Sequence, residues 1–415
     1  MKALLWGVDA EPWTPPGGYE DNQLVGNLAV TPMALQDIPE PRFLRPDWTV
    51  VKPILAGICG SDSKMSLLDF GDEDIDNAMA GLCSFPQVMG HEVVGTVAAV
   101  GPEARGVEVG QRVVINPWLS CAPRGIDPPC PSCQKGDYSL CWNFQEPPIA
   151  PGLHTGLSSD ATGGWAELMP AHTQMVIPVP DGIDDEDAVL ADPFSVSLHA
   201  VVNHPPPPGG KVLVYGVGAL GSTAIAILRA LYPDVEVAAI ARFDGQAALA
   251  DKFGASVVLR PDDRLQVIEE LARWSGGRLV GGTAGLPMCH PGGIDVVYDT
   301  VGKPETLEVG VRLLKARGTL VKSGFHAPGR WEWSPLYFKE LNWVGSNAFG
   351  IEEVEGRRRH AMQHYFDLVL TGRVSVRPML THTFRLEQWR DALFTIATQG
   401  ETGAVKVAFD YRPST

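Results

Sequence analysis

The stretch "KVLVYGVGALGSTAIAILRAL", residues 211–231, constrains this chain more than any other. A short β-branched run passes through three glycines into apolar residues at helical spacing, which reads as strand, tight turn, helix. A strand that feeds a helix in this way builds a parallel sheet with helices over its faces. The alternation continues through "VEVAAIARF", "GGIDVVYDTVG", the helix-like "PETLEVGVRLLKA", "GTLVKSGF" and "LNWVGSNAFG". One part of the chain is therefore expected to be a doubly wound α/β domain.

At 415 residues the chain is too long for one ordinary core, so two domains with a cleft between them are expected. Its 45% hydrophobic and 20% charged residues suit a globular protein rather than a disordered or membrane one. No apolar run has the length of a membrane span, and the N-terminus lacks the pattern of a signal peptide, so a cytoplasmic location is expected. A formal charge of −16 argues against nucleic acid as a partner. The one basic run, Arg357-Arg358-Arg359, is expected to be a solvated helix face.

Cys121, Cys130, Cys133 and Cys141 are four of only seven cysteines and fall in a single short segment. Four thiolates suit a closed tetrahedral zinc site that orders a lobe, about residues 117–145, too poor in apolar residues to order itself. Two disulfides are the alternative, disfavoured in a reducing compartment. Within the opening stretch, Gly216, Gly218 and Gly221 fit the dinucleotide fingerprint, with Ala219 and Leu220 between them.

Three further motifs precede the cysteines: Gly57-Ile58-Cys59-Gly60-Ser61-Asp62, Gly90-His91-Glu92-Val93-Val94-Gly95, and Val109-Gly110-Gln111-Arg112-Val113-Val114. In this order they make the chain resemble the zinc-dependent medium-chain dehydrogenase/reductase superfamily, which includes alcohol, sorbitol and threonine dehydrogenases. The resemblance implies an α/β fold, with a β-rich GroES-like catalytic domain at 1–192, a Rossmann coenzyme domain at 193–347, and a return to the catalytic domain at 348–415. It also implies a homodimer or homotetramer, with "LNWVGSNAFG" as a strand used in subunit pairing.

By the same resemblance Cys59 and His91 are ligands of a catalytic zinc, the second of two zinc ions per chain. Glu92 either binds that metal or sits behind it. Asp192, in "ADPFSVSLHA", holds the position of the last protein group, although its place before Pro193 also reads as a helix cap. Ser61 is implied to start the proton relay from the substrate oxygen. Lys64 stands where family members often carry the relay histidine, and it is assigned no catalytic role. The insertion at 66–85 is acidic at Asp72-Glu73-Asp74 and reads as solvated surface, with Cys83 a buried small residue.

At the end of the second coenzyme strand, the usual acidic position falls on Ala241, with Arg242 next. That favours NADP(H) over NAD(H), since a carboxylate is missing and a guanidinium is added. Arg242 stacking on the adenine, or Asp244 reaching the ribose, are the alternatives. Asp299 and Gly302 match a strand end near the nicotinamide. "SGGRLVGGTAGLPMCHPGG" reads as an exposed loop, and His199 and His382 as ordinary residues.

The expected function is hydride transfer between NAD(P) and a secondary, cyclic or polyol alcohol and its carbonyl. The alternatives are an alkene or quinone reductase, whose zinc-free branches lack both metal constellations, and a non-catalytic nucleotide-binding protein of the same fold.

Overall fold

In the computed structural model, which describes residues 1–70, 81–283, 285–326 and 329–413, the glycine-rich run lies at the centre of a sheet. Strand Lys211–Tyr215 pairs in parallel with Glu236–Ile240 on one side and Ile294–Asp299 on the other. Val257–Leu259, Leu314–Lys322 and Asn342–Gly345 complete a six-stranded parallel sheet. Helices such as Ala219–Leu231 and Arg264–Ser275 bury apolar residues alongside it, so its strands carry continuous apolar runs instead of alternating ones. The strand order reverses between Lys211–Tyr215 and Ile294–Asp299, which opens a crevice at their C-terminal ends.

The other large sheet has seven strands around Trp48–Gly57, which pairs antiparallel with Glu92–Val100 and with the closing strand Lys406–Asp410. The end of the chain therefore returns to the first sheet. Lys2–Trp6 pairs with Met33–Asp37 and Gln87–Val88 in a smaller sheet. Helix Ala191–Asn203 runs through residue 192, where a domain boundary is expected, and Ser197 on it bonds to Leu220 O at 2.8 Å on the coenzyme helix.

Three expectations are corrected or fall outside the structure. Arg357-Arg358-Arg359 lies on strand Arg357–His360 in a hairpin with Ile351–Val354, not on a helix, because Gly356 (φ +74°) turns the chain there. The segment 275–293 is not simply an exposed loop: Leu279–Val280 pairs with Met288–Cys289, and Cys289 is fully buried. Asp72-Glu73-Asp74 lies outside the described residues, while Cys83 is half-buried, and burial raises its thiol pKa. Among the described residues no helix is long and apolar enough to cross a membrane.

Candidate active site

The four cysteines of the lobe converge, with their sulfurs all within 4.8 Å of one another. They are unlinked: Cys121 Sγ and Cys141 Sγ are 3.6 Å apart, far beyond a disulfide bond. Backbone and side-chain N–H groups aim at the sulfurs, from Cys130 N and Asn143 Nδ2 to Cys121 at 3.3 and 3.1 Å and from Asn143 N to Cys141 at 3.4 Å. Hydrogen bonding from Cys141 pulls the Cys133 thiol down to about 5, and the same contact pushes Cys141 up. Four sulfurs supplied with N–H donors and held this close fit a tetrahedral zinc. Beneath them the buried Arg124 guanidinium donates to the carbonyls of Leu119, Phe144, Glu146, Ile149, Ala150 and Gly152, tying the lobe together where apolar residues are few.

A second cluster gathers Cys59, His91 and Glu92, whose donor atoms also lie within 4.8 Å of one another. Cys59 is the N-cap of helix Gly60–Ser66, and Asp62 on its first turn accepts the Cys59 N–H at 3.1 Å. The other Asp62 oxygen faces His91 Nδ1 at 3.4 Å, a carboxylate behind the imidazole of the kind that orients a metal-binding histidine. His91 follows Gly90, whose φ of +91° and approach to Trp165, 2.2 Å from where a Cβ would stand, exclude a side chain. A thiolate, an imidazole with a free nitrogen and a carboxylate fit catalytic zinc.

Both Glu92 oxygens are held by Lys406 Nζ, at 2.7 and 2.6 Å, and Lys406 also donates to Ile58 O at 3.1 Å. Asp192 is not in the 4.8 Å set. It sits in the first turn of helix Ala191–Asn203 with Leu190 at the N-cap, so the cap reading does not hold. Burial raises it to about 7, with His91 opposing and Glu92 adding to the rise, and its Oδ2 has no partner. Ser61 is exposed on the turn after Cys59, beside the cluster in sequence and open to a substrate. Lys64, three residues on, donates its ammonium to Phe325 O across the cleft. His154 lies beside His91 with ring centroids 4.4 Å apart and planes tilted by 49°; burial drives its pKa down to about 3, and its Nδ1–H donates to Thr155 O at 2.7 Å.

In the crevice of the parallel sheet, Gly216 has φ +87°, and a Cβ on Gly221 would lie 1.8 Å from Gly216 O. Gly218, the N-cap of helix Ala219–Leu231, has open space around it, where a pyrophosphate can approach the backbone. Ala219 and Leu220 form the first turn of that helix. Ala241 is buried beyond the strand end at Ile240, and Arg242 is exposed over the Phe243 ring at 5.1 Å. Arg260 donates to Ala241 O at 3.3 Å and pairs with Asp244, so a second guanidinium lies beside the end of strand Glu236–Ile240. Asp299 is committed elsewhere: it accepts from Val301 N, Gly302 N and Thr306 Oγ1, which closes the turn into helix Pro304–Leu313.

Asp62, Lys406, His154, Arg124 and Arg260 are the site residues that the sequence reading leaves unassigned. Lys406 carries the clearest signal, a lone cation in the otherwise apolar closing run "GAVKVAF".

Comparison with known proteins identifies the family of this chain. Residues 45–181 match the alcohol dehydrogenase GroES-like domain, and residues 219–363 match the zinc-binding dehydrogenase domain. The chain is 30% identical over 336 residues to (R,R)-butanediol dehydrogenase of Saccharomyces cerevisiae, covering 77% of this chain and 81% of that protein. It is 27% identical to L-threonine 3-dehydrogenase of Pyrococcus abyssi, over 89% of this chain and 92% of that one. An alcohol dehydrogenase from E. coli CFT073, solved with NADH, has the same fold at TM-score 0.71 and 23% identity, over 99% of each chain.

Proposed function

The chain belongs to the zinc-dependent medium-chain dehydrogenase/reductase superfamily, and from that premise we propose that it oxidises a secondary or polyol alcohol with NADP, using two zinc ions per chain. It is an alcohol dehydrogenase-like oxidoreductase that uses zinc and a nicotinamide coenzyme. The observation that carries the fuller reading is that the Cys59, His91 and Glu92 donors gather within 4.8 Å of one another.

Bound there, zinc supplies a Lewis acid that lowers the pKa of a substrate hydroxyl, and the coenzyme supplies the hydride acceptor. Cys59 and His91 would hold the metal, and Asp62 faces the His91 ring from 3.4 Å and would orient it. Lys406 pairs with both oxygens of Glu92, so Glu92 stands in the cluster with its charge already matched. Asp192, buried with an unpartnered oxygen, is the remaining candidate donor. Ser61 Oγ takes the proton from the substrate hydroxyl and passes it to solvent. The Lys64 ammonium, a donor bonded to Phe325 O, is no base.

Gly216, Gly218, Ala219, Leu220 and Gly221 seat the pyrophosphate, and Ala241, Arg242 and Arg260 favour a 2′-phosphate over a bare ribose. Strand Asn342–Gly345 is the edge of the parallel sheet, carries exposed Trp343 and follows exposed Trp333, Tyr337 and Phe338, which supports pairing with a second copy.

The test is reduced-nicotinamide absorbance with zinc-loaded protein, offering secondary, cyclic and polyol alcohols with NADP and NAD separately. Hydride transfer to NADP, slowed in Ser61→Ala at unchanged zinc content, supports the reading. Coenzyme binding without turnover of any alcohol or carbonyl would overturn it.

A further inference from the structure

The four-cysteine lobe is sealed around three of its sulfurs and open at the fourth. Cys121, Cys130 and Cys141 are 0%, 8% and 7% exposed, whereas Cys133, on the short helix Pro131–Lys135, is half-buried. Hydrogen bonds from Cys130 N and from Asn143 cover Cys121 and Cys141. Cys133 lines a pocket of about 400 Å³ where the lobe meets the antiparallel sheet. The lobe gives that pocket an apolar surface, Ile126, Pro129 and the half-buried Tyr138.

The sheet side supplies Arg45, Asp47 and His172, which are committed to one another. Asp47 faces Arg45 Nε at 3.4 Å and accepts from His172 Nε2–H at 3.1 Å, while His172 Nδ1 accepts from Gln174 N at 3.1 Å. With Nδ1 an acceptor, His172 is the neutral Nε2–H tautomer, and burial lowers its pKa in keeping with that. The Arg45 guanidinium packs on the Gly125 turn, where a Cβ would lie 2.1 Å from its Nη1. The Arg45 and Asp47 charges cancel, and exposed Asp127 adds a negative charge to that of the lobe's thiolates. Such a wall repels anions and admits a neutral molecule with an apolar body. A thiolate is the nucleophilic form of cysteine, and a zinc site keeps its cysteines in that form. The other half-buried cysteines are Cys59, in the cluster at the cleft, and Cys83, whose thiol is raised by burial and so carries little thiolate.

We propose that Cys133 is a covalent modification site for a small neutral conjugated carbonyl, an enal or enone, and that its modification opens the lobe and releases zinc. The inference goes beyond the proposed function and rests on its reading of the lobe as a zinc site. The Cys133 sulfur attacks the β-carbon and an S–C bond forms. The alkene π pair passes to the α-carbon, which takes a proton from water and leaves hydroxide, so no oxidant or reductant is needed. The product is an uncharged thioether, and the three thiolates that remain are one short of a closed tetrahedral set. Conjugated carbonyls are what an alcohol oxidoreductase makes from allylic alcohols, so the site answers to a product of this reaction class. The lobe in turn holds the hairpin of Ile351–Val354 and Arg357–His360. Ile351 N donates to Gly136 O at 3.0 Å, Ser139 Oγ donates to Asn347 O at 3.0 Å, and a Cβ on Gly350 would lie 2.0 Å from Gly136 O. A lobe that loses its order therefore loosens the hairpin packed on it.

The experiment treats zinc-loaded protein with one equivalent of N-ethylmaleimide at neutral pH, with NADPH present to cover the cleft. Peptide mapping by mass spectrometry locates the label, and a chromophoric chelator follows released zinc. The first label is expected on Cys133, at least about tenfold faster than on Cys59 or Cys83. One zinc per chain should leave at the rate of labelling, and hydrogen exchange in the hairpin should quicken. Neutral iodoacetamide should outpace anionic iodoacetate at Cys133 by about tenfold more than it does on free cysteine. Gln174→Trp, at an exposed position of the pocket wall whose backbone N–H still bonds His172, should slow labelling of Cys133 by about fivefold and leave that of Cys83 unchanged. First labelling at Cys59 or Cys83, or labelling of Cys133 with no zinc released from a loaded lobe, would overturn the proposal. Metal analysis before labelling separates the two readings: a lobe without zinc sinks the two-zinc reading, and the map alone then upholds or sinks Cys133 as the reactive thiol.

Discussion

Replacing Lys406 with Met tests how the catalytic cluster is held. Lys406 and Glu92 are 2% and 1% exposed, so neither can turn to water when the other is removed. The three bonds of the ammonium, to both Glu92 oxygens and to Ile58 O, are charge-assisted and worth about 1.5–3 kcal/mol each before the cost of desolvating the lysine is subtracted. Truncation leaves a buried, unpaired carboxylate, and the net penalty for breaking such a pair is about 3–5 kcal/mol. Lys406→Met is therefore expected to lower the unfolding free energy of metal-free protein by that amount, read from the shift in urea midpoint multiplied by m. In zinc-loaded protein the loss should be smaller, because a second cation then stands beside Glu92. Lys406→Met/Glu92→Gln should recover most of the loss, since a neutral amide needs no counter-ion, and the coupling is read from the double-mutant cycle. Urea unfolding followed by circular dichroism, with and without zinc, measures all four proteins. A penalty below about 1 kcal/mol in the metal-free protein, or strictly additive single effects, would refute the argument that this pair is buried and mutually dependent.

Three other outcomes are expected. Gly221→Ala places a methyl 1.8 Å from Gly216 O, so NADPH affinity should fall by more than tenfold in a fluorescence titration, with zinc content unchanged by metal analysis. Arg242→Ala/Arg260→Ala should move coenzyme preference toward NAD by about 100-fold in kcat/KM; an unchanged ratio would place the 2′-phosphate elsewhere. Burial holds His360 down to about 3, with its Nδ1 accepting from Met362 N and its Nε2 buried without a partner. An imidazole whose folded pKa is depressed binds its proton more readily when unfolded, so its contribution is fully present above about pH 6.5 and is lost as pH falls toward 3. His360→Asn keeps a cap acceptor and removes the titration, so its stability should decline less over that window, by on the order of 1 kcal/mol per pH unit.

What the sequence made legible was local. The strand, glycine turn and helix of 211–231 announce themselves because the hydrophobic period changes from run to helix within one segment. The four lobe cysteines do so because a metal site built from a short loop keeps its ligands close along the chain. Cys59 and His91 are separated in sequence, and only their neighbouring motifs, matched to a family, bring them together on the page. Arg357-Arg358-Arg359 was misread because charge alone cannot tell an exposed strand from an exposed helix face; the deciding residue was Gly356, outside the run.

The residues that sequence reading passed over act across long stretches of chain. Lys406 meets Glu92 314 positions away, because the closing strand Lys406–Asp410 and the strand Glu92–Val100 both flank Trp48–Gly57. Lys64 meets Phe325 261 positions away, because the helix after Cys59 faces the strand ends of the other sheet. Loop closure over such distances leaves no periodicity to read, since its entropy grows only slowly with length and favours no particular pair. The two contacts nonetheless have a common logic. The first brings a cation from the closing strand to the cluster at Cys59, and the second brings a carbonyl of the parallel-sheet turn to the helix that follows Cys59. Lys406 spends its donors on both Glu92 oxygens and on Ile58 O, whereas Lys64 bonds a single carbonyl, Phe325 O. The buried pair of Lys406 and Glu92 fixes a carboxylate of the cluster from a strand that sequence periodicity does not connect to it.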